Sequence, residues 1–165
     1  MATSDRPRWQ TIVGWLAALL MAFVWLTAGI WKLAQFAKWQ LMLTQMLVPA
    51  WLSLPGTLAL GVTETFAGVL LLRPAWRRLG GYLSAALLIV FMAYVGYHYE
   101  TLKGEDCSCF PWLERTVGPG FFWGDAGMVA VALVAARFSP RISAWRGAGA
   151  ALLAVALFAG AMLAL

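Results

Sequence analysis

Thr11-Ile-Val-Gly-Trp-Leu-Ala-Ala-Leu-Leu-Met-Ala-Phe-Val-Trp-Leu-Thr-Ala-Gly-Ile-Trp31 contains no charged side chain. Wound as an α-helix it is about 30 Å long, the thickness of a bilayer's hydrocarbon core. Four further apolar runs follow: Trp51–Leu72, Leu79–Tyr97, Phe121–Phe138 and Gly147–Leu165. Each approaches the roughly 17–25 residues that span a membrane. The fourth is the shortest and has Asp125 near its start. In the second, Pro55 and Gly56 are expected to delay helix entry and leave Thr57–Leu72 as the strictly apolar part. The expected fold is therefore all-α: a polytopic transmembrane four-helix bundle with an added C-terminal fifth transmembrane helix, in one integral membrane domain over residues 1–165.

Composition agrees. Of 165 residues, 62% are hydrophobic and 12% charged, and mean hydropathy is +0.78. Soluble proteins carry roughly 45–50% and about 25%, and a chain of this size has too little interior to hide that much apolar surface from water. An ordinary soluble enzyme and a disordered chain are both excluded. The net charge of +5 does not point to nucleic acid, because the charges sit in short clusters between apolar runs and form no patch. Gly118-Pro-Gly120-Phe-Phe-Trp-Gly124 is Gly-rich, yet it lacks the spacing and the preceding strand of a phosphate loop.

The clusters orient the chain. One set of loops holds Arg6, Arg8, Arg73, Arg77, Arg78, Arg137, Arg141 and Arg146; the other holds only Lys32, Lys38, Lys103 and Arg115. The positive-inside rule places the first set, with the N-terminus, in the cytoplasm. The C-terminus and the loop from about His98 to Gly120 are then extracytoplasmic. The expected location is the inner membrane of a bacterium, with the first segment as an uncleaved signal anchor. Between segments one and two, Lys32–Ala50 mixes apolar residues with Lys38, Gln35, Gln40 and Gln45; it is expected to extend helix one and then lie along the outer interface. Trp9, Trp31, Trp39, Trp51, Trp76, Trp112, Trp123 and Trp145 fall near span ends, as an interfacial belt requires. In the fifth segment Ala156, Gly160 and Ala164 form a small-xxx-small row that permits close helix contact, within the bundle or against another subunit.

Cys107 and Cys109 are the only cysteines and fall in the extracytoplasmic loop, where disulfides persist. As a staple the pair is poor: a three-residue ring contributes about 1.6 kcal/mol by chain entropy, against about 3 for a 15-residue loop. An extended Cys-x-Cys also strains the Cα separation a disulfide needs, and strained, exposed disulfides exchange readily. Three readings stay open: a redox pair, a structural bridge, and a metal site in which both thiolates join His98 and Asp106 around copper(I) or zinc. The metal spacing matches no strong signature. Glu105 and Asp106 oppose thiolate formation while Lys103 favours it, so the pair is expected to be attacked by a partner thiol more readily than it attacks.

Glu64 lies deep in segment two, where a charge costs roughly 2.5–3.5 kcal/mol and must face a bundle interior or a polar cavity. Its options are a structural pair with Lys32, the nearest candidate cation, or a proton or quinone site. Asp125, at the start of segment four, reads as a charge favoured by the helix dipole.

These residues resemble the DoxX/MauE-type membrane proteins. Ala28-Gly29-Ile-Trp-Lys32-Leu33 is similar to that family's first-helix ending, and Glu64-Thr-Phe-Ala-Gly68 with Leu70-Leu71-Leu72 to its second-helix pattern. Cys107-Ser-Cys109-Phe110 resembles the Cys-x-Cys-Phe element of the MauE-like branch. The resemblance covers about residues 13–137; Ser108 stands where Gly is common, and the fifth helix is additional. It implies a four-helix bundle linked to thiol–disulfide chemistry, to redox-enzyme maturation and, in one branch, to quinone. By resemblance Cys107 and Cys109 are the redox pair, and Lys32 and Glu64 the polar helix positions. The expected function is thiol–disulfide exchange with an extracytoplasmic thioredoxin-like partner, with quinone as the linked cofactor. The alternative is a non-catalytic subunit or assembly factor of a larger membrane redox complex, so whether the chain is itself an enzyme stays open. A transporter is disfavoured, since only Glu64 is clearly intramembrane and no repeated halves are visible.

Overall fold

Each apolar run becomes one helix. A computed structural model describes residues 7–106, 115–139 and 147–164. Along it run α1 (Arg8–Ala34), α2 (Phe36–Gln45), α3 (Ala50–Leu72), α4 (Arg77–Tyr97), α5 (Tyr99–Leu102), α6 (Pro119–Arg137) and α7 (Ala148–Ala164). Helices α1, α3, α4 and α6 are long and apolar enough to cross a membrane; α7 is apolar but shorter. Among the described residues there is no strand, only an isolated antiparallel bridge between Asp106 and Thr116.

The inside and outside of α1 reverse the pattern of a soluble helix. Ile12, Leu16, Leu20 and Phe23 point outward and are exposed, while Gly14, Ala18, Ala22, Ala28 and Gly29 face the bundle. Large apolar side chains toward lipid and small ones at helix contacts is the arrangement a membrane demands, because burial there gains packing rather than release from water. Helix α1 runs antiparallel to α3 at very close approach. A Cβ on Gly61 would stand 2.8 Å from Leu33 Cδ2, and one on Gly29 would stand 2.7 Å from the Thr65 nitrogen. One end of the core joins Met21, Ala22 and Trp25 to Ala67, Leu71, Ala85, Leu88, Ala132 and Ala135. The other joins Met46, Val95, Leu102, Val117 and Phe121.

Two expectations about entry and exit need correction. Pro55 does not delay α3, which begins at Ala50 after Pro49 at its N-cap. Pro55 sits in the second turn, where it leaves the Trp51 carbonyl without its i→i−4 partner, yet the helix runs through it. Lys32–Ala50 does extend helix one, but only to Ala34; the chain breaks at Gln35 and refolds as α2, which packs on α3. Helix α2 ends with Leu47 at φ 68° and the Val48 amide donating to the Leu43 carbonyl at 3.0 Å, a left-handed cap followed by Pro49. The Tyr94 hydroxyl donates to the Met46 carbonyl at 2.8 Å and ties α4 to this corner.

The tryptophan belt is only partly realised. Trp9, Trp51 and Trp123 are exposed, but Trp39 and Trp76 are buried, Trp39 under α2 and Trp76 beside Leu70 and Ala148 of α7. Helix α7 lies against α3 and α1. It buries Val155 and Ala159, leaving Ala156 and Gly160 of the small-residue row exposed.

Candidate functional site

The motif pieces on α1 and α3 face each other. Because α1 overruns its apolar segment to Ala34, Lys32 belongs to its last turn, and a helical side chain leans back toward the N-terminus. That lean carries the ammonium down to the level of Glu64. Lys32 Nζ donates to Glu64 Oε2 at 2.8 Å, with both side chains buried. The Trp39 ring, brought over by α2, lies 4.6 Å from the same nitrogen. The cation is thus held between a carboxylate and an aromatic face, both of which reward a desolvated charge.

A second pair, of a buried Asp125 with a half-buried Arg115, stands across the bundle. Arg115 Nη1 donates to Asp125 Oδ1 at 2.8 Å, Nη2 donates to the Phe121 carbonyl at 2.8 Å, and the guanidinium sits 5.0 Å from the Phe121 ring. Asp125 is therefore an ion-pair partner and not a dipole charge. It lies in the second turn of α6, which begins at Pro119, and the dipole effect fades within the first turn. Gly124 makes room for this arrangement, since a Cβ there would stand 2.6 Å from Arg115 Nη2. Arg115 had counted only as a loop charge; the signal that would have found it is a carboxylate too deep in a helix to be left alone.

Both pairs line one cavity of about 70 Å³ between α1, α2, α3, α4 and α6, whose wall includes Trp25, Lys32, Trp39, Glu64, Leu88, Phe91, Arg115, Phe121, Asp125 and Met128. The indole N–H groups of Trp25 and Trp39 are buried without a hydrogen-bond partner.

Cys107 and Cys109 lie outside the described residues. The chain on either side of them is described. The Gly104 amide donates to the Val117 carbonyl and the Val117 amide to the Glu105 carbonyl, both at 3.0 Å. Together with the Asp106–Thr116 bridge these bonds close a neck, whose next residue, Arg115, reaches into the cavity wall. Of the residues considered for a metal, His98 packs between the rings of Tyr94 and Tyr97, each 4.9 Å away. Among the described residues no three His, Cys, Asp or Glu side chains come together as a metal site.

The model of one family, methylamine utilisation protein MauE, matches residues 10–138. The chain belongs to the MauE family. It is an all-α membrane protein of that family, and the match is to the MauE side of the resemblance read from the sequence. The matched range takes in α1 through α6, both ion pairs and the cysteine segment; α7 lies beyond what MauE covers. No curated protein and no solved structure matches the chain.

Proposed function

We propose that this MauE-family protein passes electrons by thiol–disulfide exchange through Cys107 and Cys109. The observation that carries the reading is the closed neck. Backbone hydrogen bonds gather the chain on both sides of the cysteine pair, and Arg115 ties it to the first turns of α6. The neck fixes where the segment carrying the pair leaves the bundle and where it rejoins it. The positive-inside count supports an extracytoplasmic side for this segment in a bacterial cell, where a thioredoxin-like domain is the fitting partner.

The exchange balances within the two proteins. A thiolate of the reduced partner attacks one sulfur of the Cys107–Cys109 disulfide, forming a mixed disulfide and releasing the other sulfur as thiolate. The partner's second thiolate then attacks the mixed bond. The partner leaves as disulfide and the Cys107–Cys109 pair as dithiol, two electrons having moved. A membrane quinone belongs to this proposal as a diffusible substrate that re-oxidises the pair. The cavity does not fit it as a resident. Unpartnered indole donors suit its carbonyl oxygens, but about 70 Å³ is half the roughly 150 Å³ that admits a benzene ring. Methylamine utilisation, the role by which the family is described, then sets the pathway such chemistry would serve.

Differential alkylation in intact cells tests the reading. A membrane-impermeant maleimide should label Cys107 and Cys109 only after mild reduction. Free labelling without reduction would refute a resting disulfide, and silence after reduction would refute an accessible pair. A non-catalytic subunit of a larger redox complex is the second reading, favoured by the exposed Ala156 and Gly160 on α7. It requires the protein to purify with stoichiometric partners.

A further inference from the structure

The end of the bundle opposite the neck is rich in arginine. Contacts bring the start of α1, the α3–α4 turn and the end of α6 together there. The Arg77 guanidinium lies 3.8 Å from the Trp15 ring, the Trp9 and Phe138 rings meet edge-on at 5.9 Å, and a Cβ on Gly81 would stand 2.7 Å from the Ala132 carbonyl. Arg8, Arg73, Arg78 and Arg137 are exposed on this rim, and Arg77 is only 2% exposed. Among the described residues no carboxylate stands at this end. Glu64 and Asp125 are engaged by Lys32 and Arg115, and Glu100, Glu105 and Asp106 follow the far end of α4. Helix α4 begins with Arg77 and Arg78, with no acidic residue in its first turn and no side-chain cap. The positive end of a helix dipole disfavours cations and favours an anion, so this start suits a helix that receives a phosphate. Arg73 and Arg78 flank one tight turn, closed by the Arg77 amide donating to the Arg73 carbonyl at 2.9 Å. Their guanidiniums lie 4.3 Å and 5.8 Å from the rings of Trp76 and Tyr82, aromatic contacts that restrain both side chains. Residue choice points the same way. All eight cations that the sequence groups with this end are arginine, and the three lysines, Lys32, Lys38 and Lys103, fall to the other. Lysine would satisfy the positive-inside rule equally well; arginine adds a planar fork that matches phosphate oxygens two at a time.

We propose that the α3–α4 turn binds the phosphodiester of an anionic phospholipid, held by Arg73 and Arg78 at the N-terminus of α4. Arg8 and Arg137 widen the positive rim around it, and buried Arg77 adds its charge without touching the lipid. Basic sites between helix ends are where membrane proteins take anionic headgroups. The bound lipid supplies the negative charge that the first turn of α4 lacks. The site is independent of the cysteine chemistry and stands whether or not that pair exchanges electrons.

The test uses the full chain in detergent micelles, titrated with dioleoyl-phosphatidylglycerol or dioleoyl-phosphatidylcholine, with bound lipid counted by native mass spectrometry. Phosphatidylglycerol should bind in a saturable step, and phosphatidylcholine, whose choline offsets its phosphate charge, should not. The double variant Arg73→Gln/Arg78→Gln should weaken phosphatidylglycerol binding by about 30-fold, about fivefold for each guanidinium. Lys38→Gln, at the other end of the bundle, should leave it unchanged. Arg73→Lys/Arg78→Lys keeps the charge but loses the fork, and should bind more weakly than wild type. Equal binding of the two lipids, or unchanged binding by the glutamine double variant, would overturn the proposal. So would full affinity in the lysine double variant, which would leave only a diffuse surface potential. Displacement of the lipid by inorganic phosphate would also overturn it, by making the turn a site for a soluble phosphate. The comparison of the two lipids on wild-type protein decides even where a variant fails to fold.

Discussion

Lys32→Met should destabilise the protein far more than the double change Lys32→Met/Glu64→Gln. The ammonium and the carboxylate are 2.8 Å apart with side chains 5% and 9% exposed. Removing one partner strands the other, and breaking a buried pair in this way costs about 3–5 kcal/mol. Insertion scales give a similar figure, roughly 2.5–3.5 kcal/mol for one unpaired charge at bilayer depth. Lys32→Met also removes the cation from the face of Trp39, 4.6 Å away, which is worth about 0.5–2 kcal/mol. The single variants Lys32→Met and Glu64→Gln should each lose about 3 kcal/mol or more, whereas a neutral pair of similar volume is often neutral or stabilising. The double variant should therefore lie within about 1 kcal/mol of wild type, with a coupling energy of about 5 kcal/mol across the cycle. The assay is reversible unfolding of the purified protein in mixed micelles, followed by far-ultraviolet circular dichroism. Additive single losses, with a double variant as unstable as their sum, would refute the claim that these two residues act as a pair.

Gly29→Ala should cost about 1–3 kcal/mol by overpacking, since the new methyl meets the Thr65 backbone nitrogen at 2.7 Å and the Gly61 carbonyl at 2.8 Å; Gly127→Ala, with open space around it, should cost less than about 0.5 kcal/mol, and the same unfolding assay checks both. Gly124→Ala should displace the Arg115 guanidinium and weaken its bond to Asp125, seen as protease cleavage near residues 104–117 at lower protease concentration than in wild type; unchanged cleavage would count against Arg115 as the root of the neck. Truncation after Ser139 should leave the four-helix bundle folded, because α7 packs on the outside of α3 and α1; its helical circular dichroism signal should fall only by the share that α7 contributes.

Several helix ends were legible because they are marked twice, by the end of an apolar run and by an arginine or a proline: Arg8, Arg73 and Arg77, Pro119 and Arg137 all fall at or beside an observed boundary. The motif residues were legible too, since a glutamate in an apolar helix has few places to go. Their register was not. Whether Lys32 reaches Glu64 depends on how far α1 overruns its apolar segment and on the lean of a long side chain, neither of which composition records. The break at Gln35 was hidden for a related reason. Helix α2 is held by burial of Trp39 and by the Tyr94–Met46 bond, long-range contacts that local propensity does not see. Trp39 is buried by the same contacts, and Trp76 by separate long-range packing against Leu70 and Ala148. Arg115 was misjudged because a cation ten residues from its partner, across a loop and a helix turn, carries no periodic signal. The short helix α5 and the neck were invisible in the same way.

The central claim is that Cys107 and Cys109 exchange electrons with a thioredoxin-like partner, and a single-turnover experiment tests it most directly. Oxidised protein is mixed with one equivalent of a reduced thioredoxin domain, quenched in acid, and counted for thiols on both chains by mass spectrometry. Loss of the domain's two thiols with gain of two on Cys107 and Cys109, and a trapped mixed disulfide when the domain's second cysteine is replaced by serine, is the predicted result. A Cys107–Cys109 disulfide that is accessible to a small-molecule reductant yet stays oxidised beside the reduced domain would contradict the account.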